Sequence, residues 1–473
     1  MLTLNAFVGH LYPFLAQHSQ AEDMGIVRMR NDKWAMLDTY WTKIVYGFAA
    51  IVFAWLADHN RSRRGILATI CMVAGLCVVS IAFVRKPTLI LFYQIVFGIV
   101  QTTAEVLSVS LISDMLPWPE VFVGVSWFFL SRYLGFALNN AIIELFHASK
   151  LGGGRSFTIG TGIVGIGVAI CILFIVRESK RQRGLVVSSD HQQETTASIS
   201  VLDHKPGIWT NIRATIKHMA HLRSLWLITL GATLMSAASA TLHSYLPIYL
   251  QNVNTLHSNL PGSYSLIHAT TGSISVLCGG FVTCLIYRFS QHEKWNEISL
   301  WITALALFLS APFAVVAVLS KEDMGVETGI SVLRGTLATS LTLSEFGVGV
   351  LPTLIVALLP PGYKTLGFAI CDFVCSNVSA AVVELVRIGL HNAISFQQGF
   401  ERNIKIILVA IVPVCQVFSA ACIYASARLV SVDMEAINSL EELMSAWRMA
   451  VFVMGATAIV VLVIGIVPFS VRY

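Results

Sequence analysis

The chain has 473 residues, 56% of them hydrophobic and only 12% charged, with a formal net charge of +5. Soluble domains carry about 25% charged residues, and the gaps left here are filled by apolar runs, many about 20 residues long, enough to cross a hydrocarbon core of about 30 Å as a helix. That excludes a soluble enzyme, a nucleic-acid-binding protein and a disordered scaffold, and the absence of period-two alternation in the runs excludes a transmembrane β-barrel.

In chain order the apolar spans fall at 2–17, 34–57, 65–84, 88–113, 121–146 and 157–177. After a hydrophilic gap they resume at 223–250, 263–289, 298–320, 335–359, 365–389 and 404–428, with one more at 447–469. The pattern predicts an all-α, multi-pass membrane protein with two six-helix halves, 1–177 and 223–428, joined by a linker at 178–222. The first span covers only about 24 Å at 1.5 Å per residue. It lacks the basic n-region and small-residue cleavage site of a signal peptide, so a shortened first transmembrane helix is expected.

Charge placement orients the spans. Arg61, Arg63 and Arg64 crowd the link between the second and third spans. Arg177, Lys180, Arg181, Arg183, Arg213, Lys217 and Arg223 flank the linker, whose Ser/Thr/Gln/His-rich middle at 188–200 reads as disordered. Four crossings separate the two loops, so both lie on one face, and the positive-inside bias makes that face cytoplasmic. The loop at 18–33, with mixed charges, is then on the opposite face. In the 429–473 tail, Ile437, Leu440, Met444 and Trp447 recur at helical spacing beside Asp433, Glu435, Glu441 and Glu442. This predicts an interfacial amphipathic helix with an acidic polar face, leading to an extra transmembrane helix. The nine cysteines all fall in apolar runs at spacings that match neither a disulfide framework nor a zinc site.

Ionisable residues inside spans are functional candidates by default, because a charge in a bilayer is costly. Glu105 in the fourth span and Arg132 in the fifth differ in depth by about 6 Å, which an arginine side chain bridges. The pair serves equally as a structural salt bridge or as a substrate and gating element, with Gln101 and Asn139 (and its neighbour Asn140) as further polar cavity candidates. Glu345, near the middle of the tenth span, and Asp372, in the inner half of the eleventh, are proton-coupling candidates, since desolvation raises a carboxyl's pKa towards the working range. Glu384 and Arg387 read as an interfacial ion pair. His10, His243 and His268 are scattered singly, and no metal constellation or cofactor site is expected. Gly160-Thr-Gly162-Ile-Val-Gly165 matches a dinucleotide fingerprint in letters alone. That fingerprint needs a strand before it, whereas glycines within a span allow close helix approach. The sequons at Asn60 and Asn377 are void by placement, one in a cytoplasmic loop and one within a span.

The stretch Ala54-Trp55-Leu56-Ala57-Asp58-His59-Asn60-Arg61-Ser62-Arg63-Arg64 resembles the signature loop of the major facilitator superfamily, with Ala54 in place of its glycine and His59 in place of its first basic residue. An Asp at a helix end beside several arginines forms a cytoplasmic latch able to cap a neighbouring helix, so Asp58, Arg61, Arg63 and Arg64 are the latch candidates. Within that superfamily the chain is similar to the Spinster-type lysolipid and sphingolipid transporters over roughly residues 1–428. The carriers of this resemblance are Gln94 through Gln101 with Asp114 and Pro117, and Leu343-Ser344-Glu345 through Pro360-Pro361-Gly362-Tyr363-Lys364. The relatives carry Arg at the position of Gln94 and Glu at that of Gln101, so coupling through that Glu does not transfer and proton coupling is expected in the C-terminal half.

The resemblance implies a secondary active or facilitative transporter working by alternating access, not an enzyme. The implied substrate is a lysophospholipid or sphingolipid-like amphiphile, with membrane lipids and protons as further partners. A transporter of a small polar metabolite or drug is the alternative. A transport-dead receptor or scaffold rests only on the neutral Gln94 and Gln101, and an intramembrane acyltransferase lacks the paired His and carboxylate it needs.

Overall fold

A computed structural model describes residues 42–60, 63–84, 87–117, 119–149, 153–176, 208–253, 260–290, 294–319, 326–359, 364–394 and 400–438. The expected first span, the 18–33 loop, the centre of the linker and the 447–469 span lie outside the described residues. The elements are α1 (Thr42–Asn60), α2 (Arg63–Phe83), α3 (Pro87–Met115), α4 (Glu120–Ser149), α5 (Gly153–Ile175), α6 (Ile208–His221) and α7 (Arg223–Val253). They continue as α8 (Leu260–Phe289), α9 (Trp295–Leu319), α10 (Val326–Ser344), α11 (Gly347–Leu358), α12 (Lys364–Ile394) and α13 (Phe400–Asn438). Every described element longer than a turn is helical, as a chain without water around it requires of its backbone, and among the described residues seven segments are long and apolar enough to cross a membrane.

Packing divides the bundle. In the first half α1, α2, α3 and α5 share a core of Leu67, Ile70, Cys71, Val78, Phe97, Val100, Leu107 and Leu111. The α2–α5 crossing is made by glycines: a Cβ on Gly162 would sit 2.8 Å from the Gly75 carbonyl, and one on Gly75 equally close to the Gly162 carbonyl. Within the fingerprint-like run it is Gly162 that packs against α2, while Gly160 faces open space. In the second half α7 and α9 wrap α13. The halves meet along two seams, α1 against α12 and α4 against α8. On the second seam a Cβ at Gly280 would fall 2.8 Å from the Phe122 carbonyl, so the helices approach at backbone distance.

Three features depart from the expectation. The tenth span is broken into α10 and α11 by a turn at Glu345 and Phe346, where Val348 N–H donates to the Glu345 carbonyl at 3.1 Å in place of a regular helical bond. The Phe346 carbonyl is pressed against Gly279 of α8, where a Cβ would lie 2.4 Å away. The linker contains α6, which buries Thr215, Met219 and Ala220 against the bundle and accepts a 2.9 Å bond from Trp226 Nε1 at the Met219 carbonyl. Finally, the twelfth span does not stop at 428. α13 runs on to Asn438, and Asp433 is buried, accepting from Ser224 N at 2.7 Å and Ser224 Oγ at 2.6 Å. A carboxylate at the first turn of α7 satisfies free N–H groups and the helix dipole. Residues 429–438 thus continue α13 without a break at 428, and the rest of the expected amphipathic stretch lies outside the described residues.

Candidate functional site

Two charged clusters lie between the halves. The first closes the end of the bundle at which α1 stops and α2 and α12 start. Asp58, at the last turn of α1, accepts from Arg63 Nη2 at 2.9 Å, from Thr365 Oγ1 at 2.8 Å and from Leu366 N at 3.1 Å. It caps α12, a helix of the other half, whose unsatisfied first N–H groups favour an anion. Arg63 also bonds Asp114, the last acidic residue of α3, and Lys364 Nζ reaches the other Asp114 oxygen at 3.2 Å. Ser110 and Thr365 hydroxyls meet at 2.8 Å beneath. Arg63 is 5% exposed, so this network is largely withdrawn from water. Arg64 points elsewhere and donates to the Val176 carbonyl at the C-terminus of α5, at 3.2 Å. Arg61 lies outside the described residues. Lys364 and Thr365 complete the network, and the sequence loop alone gave no sign of them because they come from the opposite half.

The second cluster lies deeper. Glu345 sits at the α10–α11 break, 5% exposed. Tyr133 of α4 donates to its Oε2 at 2.6 Å and Ser239 of α7 to its Oε1 at 2.9 Å. His268 Nε2 of α8 stands 3.9 Å from Oε1. The His243 ring of α7 packs on His268 with centroids 4.0 Å apart, and Tyr133 meets His268 edge-on at 5.3 Å. The two histidines read as isolated in the sequence converge here on the tenth-span carboxylate. Their positions, 25 residues apart on two antiparallel helices, place them at one depth only once α7 and α8 have paired.

Beside this group, Arg132 Nη1 reaches Glu105 Oε1 at 4.0 Å, and the Arg132 side chain is 54% exposed, that of Glu105 22%. The pair expected across the fourth and fifth spans forms at the outer limit of a salt bridge, with the arginine half-exposed. It is not the dry, buried pair that would cost about 3–5 kcal/mol to break. Asp372 of α12 is within electrostatic reach of Glu105 and Arg132. Gln101 lies one turn from Glu105 on the same face of α3. Asn139 belongs to α4, but its side chain lies outside the described residues, as do those of Asn140, Gln94, Glu384 and Arg387.

Along the α4–α8 seam lies a cavity of about 570 Å³, lined by Leu116, Val123, Trp127, Phe281 and Leu285, with Glu120 and Arg288 among its polar members. Its walls are apolar, with the opposite charges set at the helix ends.

A search of curated proteins finds no significant sequence match. Among solved structures, a bacterial homologue of the human lysosomal transporter Spinster, inward-facing and unoccupied, aligns with 15% identity and a TM-score of 0.50, covering 94% of this chain and 97% of its own. The E. coli fucose:proton symporter FucP aligns with 11% identity and a TM-score of 0.55, covering 92% and 96%. At these identities the likeness is one of fold. The sequence model of the Major Facilitator Superfamily matches residues 36–383, well over half of the chain. With paired helical halves, a broken tenth span and charged groups held between the halves, this multi-pass integral membrane protein is a transporter and belongs to the Major Facilitator Superfamily.

Proposed function

We propose that the protein carries a lysophospholipid or sphingolipid-like amphiphile across the bilayer by alternating access, with the end closed by Asp58, Arg63, Asp114 and Lys364 in the cytoplasm. The observation that carries this reading is a half-exposed Arg132 on α4, five residues beyond Trp127, which lines the apolar cavity at the α4–α8 seam. An anionic headgroup needs a guanidinium, which binds phosphate oxygens bidentately. An acyl chain needs an apolar wall it reaches from the lipid. The broken tenth span supports the placement, since transporters use interrupted helices at midplane sites. Coupling is assigned to the deeper cluster, with Glu345 as the group that takes up the coupling cation, Asp372 as its relay, and protons as the expected ion. The polar lining by Glu105, Tyr133, Ser239 and Asp372 favours the second reading, a small polar metabolite.

Reconstitution in proteoliposomes separates the two. Radiolabelled lysophosphatidylcholine and a sphingoid phosphate should be taken up, and Arg132→Gln should weaken uptake affinity by about 10–100-fold, the equivalent of one charge-assisted bond of about 1.5–3 kcal/mol. Glu345→Gln should stop gradient-driven accumulation while leaving exchange intact. Sugar or nucleoside flux with none of the amphiphile would overturn the lipid assignment.

A further inference from the structure

We propose that His243, His268 and Glu345 form a binding site for a divalent transition-metal ion of the zinc class. Two independent observations lead there. The first is the donor set: one ligand atom from each of the three residues, all within 4.8 Å of one another. Two imidazoles and a carboxylate are the protein ligands of many zinc centres that keep a fourth position for water or substrate. With metal–ligand distances of about 2.0–2.1 Å, tetrahedral donors lie about 3.3 Å apart, and rotation about the side-chain torsions closes that gap. The carboxylate is already oriented by Tyr133 at 2.6 Å and Ser239 at 2.9 Å, the kind of supporting hydrogen bonds that ligating carboxylates carry.

The second observation is charge. Glu105, Glu345 and Asp372 all lie within electrostatic reach of one guanidinium, that of Arg132. With the three carboxylates ionised and the imidazoles of His243 and His268 neutral, as metal ligands are, one guanidinium leaves two negative charges to be balanced within the bundle. One divalent cation supplies the balance, and the imidazoles, as neutral soft-to-borderline ligands, select zinc-like ions over magnesium or calcium, which prefer all-oxygen shells. The site draws its ligands from α7, α8 and the α10–α11 break, so all three belong to the second half and bound metal does not itself tie the two halves together. The inference shares Glu345 with the transport reading but is tested apart from it.

The test uses the full chain purified in detergent, with Co²⁺ as the probe. Tetrahedral Co²⁺ on imidazole and carboxylate ligands gives visible d–d absorption. Wild-type protein should develop that absorption at one equivalent, and Zn²⁺ should bleach it. His243→Ala and Glu345→Gln should weaken Co²⁺ binding by more than the roughly 10–100-fold that loss of a supporting partner costs, whereas His218→Ala on α6 should leave it unchanged. His268→Cys keeps a metal ligand and should add a thiolate-to-cobalt charge-transfer band absent from wild type. This gain does not depend on a loss-of-function variant remaining folded. No d–d absorption in monodisperse wild-type protein, or no new band in folded His268→Cys, would overturn the proposal. Amphiphile uptake by the same preparation is scored separately. Transport without cobalt binding removes the metal site alone, and cobalt binding without transport of the amphiphile removes the substrate assignment alone.

Discussion

Removing the Asp58 carboxylate should open the end of the bundle that it closes. Asp58 makes two bonds to the other half, from Thr365 Oγ1 at 2.8 Å and Leu366 N at 3.1 Å, and its side chain is 10% exposed. Hydrogen bonds to a charged acceptor contribute about 1.5–3 kcal/mol each, so Asp58→Ala costs the closed arrangement about 3–6 kcal/mol. The Lys364–Asp114 contact at 3.2 Å persists in the variant and still joins the halves, which places the expected effect at the low end. At about 1.4 kcal/mol per factor of ten, 3 kcal/mol is a shift of roughly 100-fold towards the open arrangement. Ser110 reports on it, since it is fully buried beneath the network with its hydroxyl 2.8 Å from that of Thr365. A cysteine introduced by Ser110→Cys should react with an impermeant maleimide, followed by peptide mass spectrometry, about 100-fold faster in the Asp58→Ala background. The acceleration should occur in inside-out vesicles and not in right-side-out ones, because the network is assigned to the cytoplasmic side. Equal rates in the two backgrounds would show that Asp58 does not hold the halves together. Acceleration from the opposite side would reverse the orientation.

The Glu105–Arg132 pair, at 4.0 Å with Arg132 54% exposed, should show a coupling of about 0.5–1 kcal/mol in a double-mutant cycle read by thermal unfolding, as for solvent-accessible pairs; a coupling several times larger would mean that the pair is shielded from water. Truncation after Asn438 should leave a monodisperse core, whereas truncation at 430 removes Asp433 and its two bonds to Ser224 and should lower the melting temperature; Asp433→Ala in the full chain should reproduce most of that loss, costing about 1–3 kcal/mol, and an unchanged melting temperature would refute the cap. His221, with both ring nitrogens buried and lacking a hydrogen-bond partner among the described residues, is held below the ordinary imidazole range by burial and by the neighbouring His218 and Lys217. The unfolded chain therefore takes up its proton first, so the stability tied to His221 is present above about pH 6.5 and falls as the pH drops through the lowered folded value; His221→Gln should flatten that part of the melting-temperature profile.

The sequence by itself determined the spans. Apolar runs bounded by charges or turns predict α2, α3, α4, α7, α8 and α9 to within a few residues of their ends, because in a bilayer the length of an apolar helix is set by the solvent rather than by its neighbours. It also marked Asp58 and its arginines, since a helix-end Asp in a basic loop is a local pattern. What it could not supply was the partner of each charge. Thr365 and Leu366 are 307 and 308 residues from the aspartate that caps them, and Ser224 is 209 residues from Asp433, so no periodicity or spacing links them. His243 and His268 looked solitary for the same reason. Single polar residues on separate apolar helices carry no signal until helix pairing sets their depth and rotation, and it is the α7–α8 pairing, together with the break at Glu345, that brings two imidazoles and a carboxylate to one point.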